Sequence, residues 1–279
     1  MIKNIIKKIE NNSSSLCLVD EPLKKHTTYG IGGPADLMIF PKSKKDLISV
    51  IEIINENKTN VTILGSGSNI LVSDNGIRGA VISLKKSLNE VRLNENILYA
   101  ECGAMLGKIV RLAVKNNLIG LENLNGVPGT LGGALIMNAG AWGGEISENL
   151  INVELINSKN ELKKVPKKDI NFSYRNSSFN NNDILLSAEF NLKKAKKDLI
   201  KENFSKAQIG RTSSQPLDKR SAGSLFKNPK NNSAGKLLDD AGLKGHSIGG
   251  AKISEKHANF FINEGNASSS DMLKLIKKA

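Results

Sequence analysis

The sequence has few of the residues that build disulfide scaffolds, metal sites and base-stacking surfaces. It contains two cysteines and three histidines among 279 residues, and aromatic residues make up 4% of the chain. Cys17 and Cys102 show no metal-ligand spacing, which argues against a zinc site or a disulfide framework and suits a reducing compartment. So few aromatic side chains cannot form the stacking platforms of single-strand-binding proteins. We therefore expect no bound metal and no nucleic-acid partner.

Long hydrophobic runs are missing as well. No segment approaches the roughly 18 consecutive apolar residues of a membrane-spanning helix, and lysines interrupt the first residues where a signal peptide would be apolar. Isoleucines recur at helical spacing in residues 2–9, which predicts a short packed helix. We expect a cytoplasmic monomer without a membrane partner.

Positive charge is abundant in the chain. A formal net charge of +13 attracts nucleic acid, anionic lipid and phosphorylated ligands alike. Only six of the 40 basic residues are arginine, and the lysines are scattered along the sequence. This pattern favours a solvated lysine surface, with steering of an anionic substrate as the alternative that composition leaves open.

Short β-type runs alternate with helical stretches through the first two thirds of the chain. The hydrophobic pattern there predicts strands at 35–40, 61–64, 80–84 and 184–190, a hairpin at 91–101, and helices at 43–57 and 105–117, the first capped by Ser43. Around residues 193–206 the pattern becomes helical and lysine-rich, so we place a domain boundary near residue 200. Beyond this boundary the pattern predicts helices at 234–241 and from 269, with strands near 248–253 and 258–262.

A glycine- and serine-rich turn follows the predicted strand at 61–64. In Gly-Ser-Gly-Ser-Asn at residues 65–69, consecutive backbone N–H groups can face one concave turn, and such nests bind phosphate. The spacing is neither the Rossmann fingerprint nor a P-loop. By itself this segment supports a tight β-turn as well as a phosphate site.

Two further segments, residues 28–35 and 126–141, have the same side-chain-poor character. They carry too little side chain to build a core, and they suit backbone that lies against an extended ligand. Together the three segments predict a dinucleotide held by loops.

The order of these motifs resembles the UDP-N-acetylenolpyruvoylglucosamine reductase family. The resemblance rests on five segments, Thr-Thr-Tyr-Gly-Ile-Gly-Gly-Pro-Ala-Asp at 27–36, Gly-Ser-Gly-Ser-Asn-Ile-Leu at 65–71, Pro-Gly-Thr-Leu-Gly-Gly-Ala at 128–134, Phe-Ser-Tyr-Arg-Asn-Ser at 172–177 and Ala-Gly-Ser-Leu-Phe-Lys-Asn-Pro at 222–229. It covers the chain from about residue 20 to 279. The short connection between Phe190 and Arg211 resembles the subtype that lacks an inserted substrate-capping loop.

The resemblance implies an α+β fold. The expected architecture is a vanillyl-alcohol-oxidase-type (PCMH-type) FAD-binding domain of two α+β subdomains at residues 1–200, with its core at about 25–192. A smaller α+β substrate-binding domain at 201–279 follows it.

The resemblance also implies an oxidoreductase with non-covalent FAD and NADPH as hydride donor. The implied reaction reduces the enolpyruvyl ether of UDP-N-acetylglucosamine enolpyruvate to UDP-N-acetylmuramate, in peptidoglycan precursor synthesis. The cofactor supplies the hydride chemistry, whereas the protein orients the substrate, stabilises charge and delivers a proton.

Two residues are implied to be catalytic. Arg175 would clamp a carboxylate that gains enolate character, with a surface salt bridge as the alternative role. Ser224 would donate the proton, with a serine in a small-residue turn as the alternative. Tyr174, Lys227 and Asn228 are implied to bind substrate, the last two also as neighbours of Ser224.

A larger set is implied to bind the cofactor. It comprises Tyr29, Gly65, Ser66, Gly67, Ser68, Asn69, Leu71, Pro128, Gly129, Thr130, Gly133, Asn138 and Arg211. None of the histidines shows ligand spacing, so nothing indicates that His26 tethers the flavin covalently.

The sequence departs from the family pattern in two places. Ser214 stands where many members carry a basic residue, and Lys219 or Arg220 is expected to compensate in binding the diphosphate. The family's terminal glutamate strand has no equivalent before Lys277-Lys278-Ala279, so we expect a truncated C-terminal domain and weakened activity. An FAD oxidase or dehydrogenase of the same fold, an FAD-binding protein without catalysis, and a basic nucleic-acid-binding module remain as alternatives.

Overall fold

A computed structural model gives the fold of residues 2–85 and 87–279. These residues form seven α-helices, α1 Ile2–Asn12, α2 Lys44–Glu56, α3 Leu106–Lys115, α4 Leu131–Ile136, α5 Lys197–Ser214, α6 Ala234–Asp240 and α7 Ser269–Lys278. No helix among them is long and apolar enough to cross a membrane.

The strands are short and numerous. Those of the first half are β1 Leu16–Pro22, β2 Pro34–Phe40, β3 Val61–Leu64, β4 Ile77–Ser83, β5 Val91–Asn94, β6 Ile97–Glu101, β7 Leu118–Ile119, β8 Gly140–Ala141 and β9 Gly144–Glu145. Those of the second half are β10 Leu150–Ile156, β11 Leu162–Pro166, β12 Phe172–Ser173, β13 Asn176–Ser177, β14 Ile184–Asn191, β15 Lys193–Lys194, β16 Arg220–Ser224, β17 Ser247–Ile248, β18 Ala251–Ile253 and β19 Phe260–Asn263.

The strands form three larger sheets and three two-stranded ones. The larger sheets have the orders β1-β2-β4-β3, β11-β10-β14-β6-β5 and β16-β19-β18-β17. The two-stranded ones pair β8 with β9, β12 with β13 and β7 with β15.

Most predicted elements are present, and their bounds follow from local signals. Helix α2 begins after Ser43, whose hydroxyl accepts from the Asp46 N–H at 3.0 Å. The helix predicted in the lysine-rich segment at 193–206 was wrong at its start. Lys193–Lys194 form a strand paired with Leu118–Ile119, and the helix begins at Lys197. The local hydrophobic pattern could not predict this strand, because the strand it pairs with lies far away in the sequence.

The described chain divides into two compact units that alternate along the sequence. The first comprises residues 1–18, 38–65 and 80–209, and the second comprises residues 19–37, 66–79 and 210–279. The domain boundary near residue 200 concerns the family's two domains and stays a prediction.

The core of the first unit is built on the five-stranded sheet. Helix α3 places Leu106, Ile109 and Val110 in this core, and the sheet contributes Val153 and Phe190, all fully buried. Helix α1 packs on α2, as its isoleucine spacing predicts, with Ile5 and Ile9 fully buried.

The second unit has its own smaller core. The sheet β16-β19-β18-β17 contributes Ile253 and Phe261, and helix α7 contributes Met272 and Leu275, which are all nearly or completely inaccessible to solvent. Both units carry candidate functional residues.

Candidate active site

In the first unit, the glycine turn after β3 meets the segment at the start of α4. A Cβ atom at Gly65 would collide with the Thr130 hydroxyl, so any larger residue would displace the Thr130 side chain. Thr130 is buried and occupies the N-cap of α4. Two residues predicted to bind the cofactor, 65 positions apart in sequence, are therefore in contact.

The backbone of the segment 128–133 is held in place by other loops. Gly129, which follows Pro128, has a φ of +139°, a region that favours glycine, and its carbonyl accepts from the Leu106 N–H at 3.0 Å. A Cβ at Gly133 would have Thr130 Oγ1 as its nearest neighbour, at 3.9 Å. Gly133 therefore borders open space, as expected for a backbone that a ligand can approach.

Helix α4 ends in a Schellman motif in which Asn138 takes the left-handed position. The Asn138 N–H donates to the Leu135 carbonyl at 3.1 Å and the Ala139 N–H to the Ala134 carbonyl at 2.8 Å. Asn138 has a φ of +39° and is fully buried. Its Nδ2 donates to Glu145 Oε2 at 2.6 Å and to the Ser173 carbonyl at 3.2 Å, whereas its Oδ1 has no hydrogen-bond partner in the described chain.

Arg175 lies at the tip of the hairpin formed by β12 and β13. Ser173 pairs with Asn176, so Tyr174 and Arg175 form a two-residue turn. Arg175 has a φ of +55°, which costs a residue other than glycine about 1–2 kcal/mol. Strain of this kind collects at functional positions and motivates a functional hypothesis for the residue.

The guanidinium of Arg175 is fixed by neutral groups. Its Nη2 donates to the Gly140 carbonyl at 2.6 Å, and its Cζ lies 4.9 Å from the centre of the Tyr174 ring. No carboxylate in the described residues forms an ion pair with it. The half-buried guanidinium is thus oriented by a backbone carbonyl and an aromatic ring, and its remaining N–H groups suit a bidentate contact with an anion.

The hairpin of β8 and β9 lies beside this guanidinium. A Cβ at Gly140 would lie 3.0 Å from Glu145 Cγ and 3.1 Å from Arg175 Nη1, so glycine leaves room for both side chains. Trp142 at the hairpin turn and Tyr174 remain exposed, at 46% and 47%. The spacing of the sequence motifs indicated neither Glu145 nor Trp142, because the two-stranded hairpin that carries them forms only in the folded chain.

In the second unit, Thr28 connects the two other glycine-rich elements. Its N–H donates to the Gly67 carbonyl at 3.0 Å, and its hydroxyl lies 2.6 Å from the Ser221 carbonyl of β16. Thr28 therefore connects three segments: the turn at 27–30, the loop at 66–71 and the strand that ends in Ser224. Thr28 was not among the predicted site residues, although it lies within the first motif.

Gly67 is required by the protein's own backbone. Its φ is +65°, and a Cβ there would collide with the His26 carbonyl and crowd the Thr27 backbone. The glycine therefore allows two segments of the protein itself to approach. In the same loop, Ser66 Oγ donates to Ser68 Oγ at 3.2 Å, and Asn69 is exposed.

Tyr29 and Leu71 pack in the core of the second unit. Tyr29 is 1% exposed, and Leu71 packs against the same cluster. Burial raises the pKa of the Tyr29 phenol to about 12, and the Ala222 backbone offsets part of this rise. The structure gives these two predicted cofactor-binding side chains a packing role.

Ser224 ends β16 at an irregular place in the sheet. Its Cα partner is Phe260, and the register shifts between Ser221 and Ser224, where Gly223 has a φ of +80°. Such bulges re-aim a side chain at the end of a strand. Ser224 is exposed, so its hydroxyl is accessible to a ligand.

The residues that follow Ser224 are held by side-chain amides. Asn259 Oδ1 accepts from the Phe226 N–H and Asn259 Nδ2 donates to the Phe226 carbonyl, both at 2.8 Å. Asn228 Oδ1 accepts from the Ala234 N–H at 3.0 Å, at the start of α6. Asn228, which was predicted to bind substrate, thus uses its side-chain oxygen for a hydrogen bond with the protein's own backbone. Lys227 is exposed.

Arg211 and Arg220 supply positive charge to the second unit. Arg211 on α5 is half-buried, burial lowers its pKa, and no carboxylate in the described chain pairs with it. Arg220 on β16 lies across Gly30, where a Cβ would crowd its guanidinium and Cδ. Both guanidinium groups are candidates for binding phosphate or carboxylate.

The histidines have structural surroundings. His26 Nε2 lies 3.0 Å from Glu21 Oε1, and the His257 ring packs on Phe260 with the centroids 4.9 Å apart. Among the residues that the structure describes, no group of three or more His, Cys, Asp or Glu side chains could hold a metal ion.

Comparison with known proteins decides the family. Residues 35–165 match the FAD binding domain, and residues 215–279 match the C-terminal domain of UDP-N-acetylenolpyruvoylglucosamine reductase. The reductase of that name from Caldanaerobacter subterraneus is 44% identical over 260 residues, covering 93% of this chain and 86% of its own. The chain belongs to the UDP-N-acetylenolpyruvoylglucosamine reductase family.

Solved structures agree with this family and with the predicted fold. The crystal structure of the Thermus caldophilus reductase is 32% identical, has a TM-score of 0.81 and covers 95% of this chain and 93% of its own. A BBE-like protein of Physcomitrella patens, 13% identical, has a TM-score of 0.53 over 68% of this chain and 44% of its own, and supports the fold alone. The predicted family, the α+β flavoprotein fold and FAD as cofactor of an oxidoreductase are thus confirmed.

Proposed function

We propose that this chain uses NADPH to reduce the enolpyruvyl ether of UDP-N-acetylglucosamine enolpyruvate, giving UDP-N-acetylmuramate. The observation that supports this most directly is the guanidinium of Arg175, which donates to the Gly140 carbonyl at 2.6 Å and packs on the Tyr174 ring. The substrate carries a carboxylate beside the double bond, and a bidentate guanidinium is the group that stabilises a carboxylate as it gains negative charge.

The described residues fit FAD. Gly65 lies against the Thr130 side chain, and the open side of Gly133 leaves backbone that a ligand can approach. We assign the FAD diphosphate to the backbone at Gly65 and at residues 128–133 of the first unit. When bound, FAD supplies the hydride chemistry of the reaction.

Ser224 is proposed to deliver the proton that completes the reduced ether. A hydroxyl is a poor acid in water, so it serves only where neighbouring groups stabilise it and solvent is excluded. The strand irregularity at Gly223 presents the hydroxyl, and the exposed ammonium of Lys227 and the Asn228 amide are assigned to the substrate diphosphate. Arg211 and Arg220 supply further positive charge in the second unit.

The test is an anaerobic single-turnover experiment on flavin-loaded protein. NADPH reduces the flavin first, and the enolpyruvyl sugar nucleotide is then added while flavin absorbance is followed. We expect reoxidation together with one equivalent of lactyl-ether product. Reduced flavin that persists in the presence of the sugar nucleotide would contradict the proposal.

The same experiment on Ser224→Ala separates the two half-reactions. We expect reduction by NADPH to proceed at the wild-type rate and reoxidation by substrate to fall by about 10²–10⁴-fold, because only the second step needs the proton. Ser221→Ala, three residues earlier on the same strand, is the matched control. Equal slowing of both half-reactions in Ser224→Ala would exclude the proton-donor role.

A further inference from the structure

Asn138 joins the two hairpins that surround Arg175. One hydrogen of its Nδ2 group points to Glu145 Oε2 of β9 at 2.6 Å, and the other to the Ser173 carbonyl of β12 at 3.2 Å. Both acceptors are oxygen atoms, so the orientation of the amide is fixed. We propose that Asn138 is a positioning residue for Arg175, and that Glu145 fixes the amide through which it acts.

The residue type at this position supports the proposal. Asn138 occupies the left-handed position after α4, where glycine is the usual residue because it has no Cβ. Asparagine is the second choice for the backbone alone, and its side chain here is completely buried. The side chain therefore has a use that the helix end does not require.

The hydrogen bonds form a closed path around the guanidinium. Gly140 pairs with Glu145 across the β8–β9 hairpin, and the Gly140 carbonyl accepts from Arg175 Nη2 at 2.6 Å. Asn138 bonds to Glu145 on one side and to Ser173, two residues before Arg175, on the other. The turn that carries Arg175 is thus held by Asn138 at the residue before it and by Gly140 at the guanidinium.

This role differs from the one that the family resemblance implies, which is binding of the cofactor. A positioning residue should affect the step in which Arg175 acts and leave flavin retention unchanged. The inference rests on the proposed function, since it assigns Arg175 to the reaction of the substrate carboxylate.

The first test is Asn138→Gly, which keeps the left-handed backbone and removes only the side chain. We expect wild-type flavin content and an unchanged rate of flavin reduction by NADPH. We expect reoxidation by the enolpyruvyl sugar nucleotide to slow by about 10- to 100-fold, since a displacement of about 1 Å at a reacting group has effects of this size.

The second test exchanges donor and acceptor. Asn138→Asp places a carboxylate against Glu145 and removes the donor, so reoxidation should slow at least as much as in Asn138→Gly. Adding Glu145→Gln restores a hydrogen bond of opposite polarity, because glutamine donates to the aspartate. The double variant should recover part of the lost rate, which a role in packing alone would not produce.

Glu148→Gln is the matched control. Glu148 Oε1 accepts from the Glu145 main-chain N–H at 2.9 Å and is exposed, so it neighbours the same hairpin without bonding to Asn138. We expect reoxidation within about twofold of wild type.

The outcomes separate the inference from the proposed function. Loss of flavin in Asn138→Gly would make Asn138 a cofactor residue, and wild-type reoxidation in that variant would remove its role altogether; either result overturns the inference. If Asn138→Gly does not fold, the absence of recovery in the double variant overturns it instead. Failure of the wild-type chain to react with the sugar nucleotide would contradict the proposed function itself.

Discussion

At the scale of single residues, glycines of this protein serve two purposes that the sequence does not distinguish. Gly65 leaves room for the Thr130 hydroxyl beside a backbone surface that we assign to FAD. Gly67, two positions later, leaves room for the carbonyl of His26 in the protein's own loop. Both belong to one predicted nest, yet only the folded chain shows what each of them contacts.

A matched pair of substitutions tests this explanation for Gly67. Gly67 and Gly242 have nearly the same φ, +65° and +69°, but a Cβ at Gly242 would meet nothing within 4 Å. Gly242→Ala should lower the free energy of unfolding by about 1–2 kcal/mol, the cost of the left-handed backbone alone. Gly67→Ala should lower it by about 1–3 kcal/mol more, the cost of overpacking.

Denaturant unfolding of the two variants measures this difference, and flavin content shows whether the loop retains its function. Equal destabilisation of the two would mean that the His26 contact does not require glycine at position 67.

Motif order indicated the segments around Gly65, Thr130 and Arg175 as candidates for the site, and in the fold Gly65 lies against Thr130. It did not distinguish Tyr29 and Leu71, which pack in the core, from residues that face a ligand. The difference depends on which face of a loop is buried, and a glycine-rich loop has no periodicity from which this can be inferred.

At the scale of elements, long periodic helices were predictable and two-residue strands were not. The isoleucine spacing of α1 and the Ser43 cap of α2 are local signals, and both elements are present. The hairpins β8–β9 and β12–β13 have strands of two residues, too short for an alternating pattern. Since these hairpins position Arg175, the least predictable elements carry the proposed chemistry.

Helix α7 provides a pH-dependent element in the second unit. Asp74 accepts from the Ser269 and Ser270 N–H groups at 2.8 and 3.1 Å, at the first turn of the helix. Burial raises the pKa of the Asp74 carboxyl, but these hydrogen bonds outweigh it and hold the pKa below its ordinary value. The ionised form is thus favoured by folding, so its stabilising effect is present above the ordinary pKa and is lost as the pH falls through the lowered one.

Asp74→Asn should therefore lower the melting temperature at neutral pH. The free energy of unfolding should fall by about 1 kcal/mol, as when other helix caps are removed. The difference from wild type should shrink as the pH falls below about 4, because the wild-type carboxyl is then protonated as well. Asp218→Asn, at an exposed position, is the control. A melting difference that is the same at neutral and acid pH would contradict the assigned hydrogen bonds.

At the scale of the whole molecule, the flavin should contribute to stability as well as to chemistry. A ligand that binds only the folded chain stabilises it by about 2.7 kcal/mol at roughly a hundredfold excess over Kd. For a chain of this size that corresponds to about 5–10 °C in melting temperature. Flavin-free protein should therefore melt lower, and its melting temperature should rise with added FAD.

Riboflavin, which lacks the phosphates and the adenosine, is the control for this melting experiment. It should have little effect if backbone turns hold the diphosphate, as we assign. A rise with riboflavin equal to the rise with FAD would show that the ring alone is bound.

Trp142 has a practical consequence for such experiments. It is the one tryptophan in the sequence, and it stands exposed at the turn of the hairpin whose Gly140 carbonyl anchors Arg175. Selective excitation of indole fluorescence thus observes a single place in the chain. Changes in its emission on mixing with sugar nucleotide would give the time course of ligand arrival at the arginine hairpin, with no label attached.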